Sequence, residues 1–224
     1  MDIPKPAEAW GCVGPAEPRW HAAIAIVGAA GLNVLLPGKF TLGPPWLIPL
    51  IEMAILIPLL IVSPRRSPHE GKGVQIAAVT MIAIANAANV ASLFFLIREL
   101  LFDSKNITGL ALLYSSVAIW LTNIIVFALW YWELDRGGPH ERMCEDHREP
   151  DFLFPQMVTP GCSVPDWTPS FIDYFYTSFT NATAFSPTDT MPLTPWAKSL
   201  FLIEAAASLA TIAIVASRAI NILS

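Results

Sequence analysis

The side chains best able to do chemistry fall into three groups. His140, Cys144 and His147 stand at i, i+4 and i+7, so a short helix would align them, and with Cys162 they would make a Cys2His2 zinc set. The spacing matches no recognised finger pattern, and the acids around it suit a solvated loop equally well, so both readings stand. Glu52 and Glu204 lie inside long apolar runs, where an ionised carboxylate is expensive. Each is either a cation or proton site facing water or a hydrogen-bonded group that joins helices. Asn86 and Asn89 share a helical face that Asn123 could meet, and amide hydrogen bonding between helices is the default for such residues. No nucleophile elbow, phosphate loop or paired-carboxylate motif is visible, so neither an enzyme nor a cofactor is expected.

The elements that must position these groups are set by composition. Of the 224 residues only 14% are charged and 54% are hydrophobic, with a mean hydropathy of +0.52. A soluble domain of that size could not hide so much apolar surface. An all-α integral membrane protein is the expectation, with the lipid bilayer as its first partner. A net charge of −5 without any Lys/Arg cluster beyond a pair excludes a nucleic-acid binder. Three cysteines, Cys12, Cys144 and Cys162, are too few for a disulfide-stapled module.

A spanning helix needs about 20 mainly apolar residues. Five stretches qualify: Trp20–Leu36, Trp46–Val62, Val74–Leu101, Thr108–Trp132 and Trp196–Ile220. Tryptophans at their ends suit the headgroup region. Residues 1–19 carry four prolines and no apolar run, and read as an irregular leader; residues 20–102 form a three-helix region. Residues 108–224 form a second unit: an outer helix over 108–133, a polar loop over 133–169, a half-helix over 169–181, an irregular loop over 182–193 and an inner helix over 195–222. The polar loop holds seven acids and three arginines within Glu133–Asp151, and its prolines predict irregular backbone with few buried contacts.

The half-helix follows Thr168-Pro169, a good N-cap and first-turn pair. It is apolar and aromatic, but a dozen residues reach only about 18 Å, too short to cross. A half-length helix, irregular backbone and then a full span describe a re-entrant loop; an amphipathic helix lying on the surface is the alternative.

At this point the sequence resembles a family. Asp173-Tyr174-Phe175-Tyr176-Thr177-Ser178-Phe179-Thr180 is similar to the pore helix of potassium channels, D-A-L-Y-F-S-F-V-T. Asp189-Thr190-Met191-Pro192-Leu193-Thr194-Pro195 resembles the D-I-x-P-x-T-P that follows their selectivity filter. Leu200-Phe201-Leu202-Ile203-Glu204-Ala205 resembles the L-x-x-x-E-A start of their inner helix. The likeness covers about Phe171 to Ile220 plus the outer helix. It implies a channel-like protein, a homotetramer around a symmetry axis, monovalent cations as partners, a place in the plasma membrane, and a structural role for Glu204 behind the filter.

Counted back from Asp189, Ala184-Phe185-Ser186-Pro187-Thr188-Asp189 occupies the position of T-V-G-Y-G-D. Both filter glycines are replaced, by Ser186 and Thr188, and Pro187 stands between them. Proline fixes φ near −65° and lacks an N–H, and Ser and Thr resist positive φ. The carbonyl ladder that replaces a potassium ion's water is therefore not expected. What remains is Asp189 with the hydroxyls of Thr183, Ser186 and Thr188, a set that favours hydrated cations over anions. The leading expectation is a weakly selective cation pore; the alternative is a non-conducting scaffold or accessory subunit that keeps the channel fold.

Orientation divides two arguments. With five spans, nine cations fall on the amino-terminal side and four on the other, which places the polar loop in the cytoplasm. The channel resemblance places the pore loop outside.

Overall fold

The computed structural model describes residues 18, 20–62, 72–102, 108–139, 141–143, 148–159, 167–183 and 189–223, with side chains through Ala216. Of the described residues, 81% are helical. The helices are α1 (Trp20–Val34), α2 (Leu47–Val62), α3 (Lys72–Phe102), α4 (Gly109–Leu134), the single turn α5 (Pro155–Val158), α6 (Phe171–Ala182) and α7 (Pro195–Leu223). Three of them, α3, α4 and α7, are long and apolar enough to cross a bilayer, which marks the chain as a membrane protein. Helices α1 and α2 are apolar but shorter, at 15 and 16 residues.

Helix α4 is the centre of the bundle. It packs against α1 and α3 on one side and against α6 and α7 on the other. Thr108 caps its start by accepting from the Ala111 N–H at 3.3 Å. Val126, Phe127, Ala128, Leu129, Tyr131 and Trp132 are all buried, so most of its last turns face other parts of the protein. Ala22 and Ala25 of α1 and Ala78 and Ala85 of α3 are among the buried residues of these helices.

The end of α4 departs most from the sequence reading. The loop after Glu133 does not stand in solvent with few contacts. Glu133, Asp135, Arg136, Arg142, Asp151, Phe152 and Phe154 are all buried. The chain reverses through three successive residues of positive φ: Arg136 (55°), Gly137 (86°) and Gly138 (106°). A Cβ on Gly138 would lie 2.7 Å from the Glu133 carbonyl oxygen, so glycine is required there. Arg142 then folds back and donates to the carbonyls of Trp132 (2.7 Å) and Asp135 (3.2 Å), which places a cation at the negative end of α4.

Asp151 closes the loop. Its carboxylate accepts from the Arg136 N–H (2.8 Å) and from Trp196 Nε1 (2.8 Å), while its own N–H donates to Asp135 (2.9 Å). Two-residue strands β1 (Phe152–Leu153) and β2 (Met191–Pro192) pair antiparallel, with Phe152 opposite Pro192. The pair ties the polar loop to the segment that leads into α7. Charge and proline counts carried no sign of it.

Candidate functional site

Helix α6 is 12 residues long and starts two residues later than Thr168-Pro169 suggested. Ser170 is the N-cap: the Ser170 N–H and hydroxyl both donate to the Asp173 carboxylate at 2.8 Å, and a capping box is complete. Asp173 is thus committed to the helix start. One turn further, Tyr174 is fully buried and donates to Asp135 at 2.6 Å, beside the end of α4. Deeper again, the Ser178 hydroxyl lies 2.8 Å from the Ile124 carbonyl of α4. The last carbonyl of α6, at Ala182, lies 3.5 Å from the Trp120 indole nitrogen. Position by position α6 therefore runs from the end of α4 to its middle, and β2 stands back beside β1.

At the middle of this path sits Glu204 of α7, fully buried. Its carboxyl accepts from the Tyr131 hydroxyl of α4, the Ser178 hydroxyl of α6 and the Asn181 amide of α6, the last at 2.6 Å. Asn181 also donates to the Phe201 carbonyl at 3.1 Å. Asn123 of α4 adds a second tie, donating to Ser208 at 3.0 Å and to the Glu204 carbonyl at 3.3 Å. One acid so gathers three helices around a single buried point. Such a group holds only where its partners are supplied by packed neighbours.

The remaining α6 residues divide by face. Thr177 and Thr180 return their hydroxyls to backbone carbonyls one turn back, Asp173 at 2.9 Å and Tyr176 at 3.0 Å. Thr177 also reaches Thr190 at 3.1 Å, linking α6 to the segment before β2. Phe175 lies half-buried against the core, and Phe179 meets Trp120 edge-on at 6.1 Å. Ile172, Tyr176 and Phe179 stay 65%, 54% and 41% exposed on a short helix whose other face is packed. Thr183 donates to the Thr180 carbonyl at 3.0 Å, and Asp189 is exposed.

Ala184, Phe185, Ser186, Pro187 and Thr188 lie outside the described residues, as do His140, Cys144, His147 and Cys162. Among the described residues no group of three or more His, Cys, Asp or Glu could hold a metal. The asparagine cluster comes apart: Asn123 turns to α7, while Asn89 is buried in α3. Glu52 is buried in α2, and its Oε2 has no hydrogen-bond partner among the described residues. The partners of Glu204 were not singled out beforehand. The only signal for Ser178 and Asn181 was their spacing of three, which puts both on one face of α6.

No family model matches the chain, and neither a curated protein nor a solved structure does.

Proposed function

We propose that the protein is an oligomeric, channel-like membrane protein in which α4, α6 and α7 form a pore module around a weakly selective cation path. In this reading α1 and α2 complete five spans, and α6 is a re-entrant half-helix. The observation that carries it is the Glu204 junction, which seats a 12-residue helix between two long apolar ones with its C-terminus beside the middle of α4. A helix C-terminus at membrane depth presents partial negative charge, which favours cations. The exposed row Ile172, Tyr176 and Phe179 needs cover, which neighbouring copies around a four-fold axis would provide.

A second reading, a non-conducting scaffold that keeps the channel fold, draws on Ser186-Pro187-Thr188, whose φ preferences oppose a carbonyl filter. Purified protein in liposomes, assayed for sodium and potassium uptake, separates the two. Uptake of both ions that is lost in Phe179→Asp supports the pore. Tight vesicles containing correctly assembled protein support the scaffold.

A further inference from the structure

Away from the Glu204 junction, a cavity of about 950 Å³ opens between the first turn of α3, the end of α4 and the first turn of α7. That size lies at the top of the range for small-molecule sites, roughly 300–1,000 Å³. Among the described residues its charged lining is Lys72 and Arg148 against one acid, Glu141. Trp130 and Trp196 flank it, rings of the kind that settle at headgroup depth. Trp130 Nε1 is buried and has no hydrogen-bond partner among the described residues. Ile76 and Leu200 line the walls, and Asn86 marks the deep end. From Lys72 to Asn86 along α3 is roughly 21 Å at 1.5 Å per residue, much longer than any small anion.

We propose that this cavity binds one anionic phospholipid. The phosphate sits at Lys72 and Arg148, an ester oxygen accepts from Trp130 Nε1, and an acyl chain runs past Ile76 and Leu200. A basic pocket between membrane helices suits an anionic headgroup, and the apolar reach below it distinguishes a lipid from free phosphate. The site stands apart from the pore reading, because none of the residues lining the cavity takes part in the Glu204 junction.

Native mass measurement of the purified full chain, offered dioleoyl phosphatidylglycerol and dioleoyl phosphatidylcholine in equal amounts, tests the assignment. One phosphatidylglycerol should be retained per chain, in clear preference to phosphatidylcholine. Lys72→Ala should weaken that retention about fivefold, the effect of one basic residue at an anionic surface. Ile76→Trp, which narrows the acyl path, should reduce retention with the charge intact, and it decides the matter if Lys72→Ala fails to fold. Equal retention of the two lipids would overturn the proposal. So would unchanged phosphatidylglycerol retention in folded variants, or its displacement by an equal concentration of soluble glycerol phosphate.

Discussion

Glu204 offers two carboxyl oxygens to three donors drawn from α4 and α6, and the chemistry of those donors makes its variants separable. In Glu204→Gln the amide oxygen can take the place between Tyr131 and Asn181. The amide nitrogen can then donate to Ser178, whose hydroxyl turns to the Ile124 carbonyl at 2.8 Å. Glu204→Leu leaves the Tyr131 hydroxyl and one Asn181 N–H unpaired, at about 1 kcal/mol each, or about 2 kcal/mol together, while Ser178 keeps the Ile124 carbonyl. Thermal melting in mild detergent should show Gln close to wild type and Leu well below it; equal melting of the two would contradict the junction. The importance of Glu204 is legible in the sequence, since an acid inside an apolar run must find partners. Their identity is not, because Ser and Thr in helices commonly bond their own backbone, as Thr177 and Thr180 do.

At the scale of elements, the long helices follow from apolar runs. Val74–Leu101 is observed as Lys72–Phe102 and Thr108–Trp132 as Gly109–Leu134, because uninterrupted apolar sequence leaves the backbone no other way to satisfy itself in hydrocarbon. The loop after α4 defeats the same logic. Its acids and arginines counted as solvated charge, yet Asp135, Arg136, Arg142 and Asp151 satisfy one another and the helix end through contacts 7 to 16 residues apart. Composition cannot reveal which charges will pair. The turn that permits the fold is local, however, and testable. Gly138→Ala forces a Cβ against the Glu133 carbonyl at a φ of 106°, and should cost about 1–3 kcal/mol. A melting midpoint equal to wild type would show that the reversal is not needed in that form.

For the whole molecule, the feature in need of cover is the exposed row Ile172, Tyr176 and Phe179 on α6, within the sequence that carries the channel resemblance. One copy cannot enclose a path. Mass measurement in mild detergent should find a stable tetramer, and Phe179→Asp should reduce it to smaller species by placing a charge in a packed aromatic face. A folded wild-type monomer would remove the basis for a pore. The resemblance itself was readable only in α6, the segment before α7 and the start of α7. The three apolar helices α1, α2 and α3 have no counterpart in it, and hydrophobicity alone says where they lie but not what they serve.

Planar-bilayer recording under potassium, sodium and chloride gradients tests the central claim most directly. Carbonyls held in register are what separate potassium from sodium, and Ser186, Pro187 and Thr188 oppose that register. In the proposed pore, the loop hydroxyls and Asp189, with the C-terminal end of α6, would favour cations over anions. Reversal potentials should follow the cation gradients and barely move when sodium replaces potassium. A strong potassium preference, an anion-selective current or silence from correctly assembled protein would contradict it.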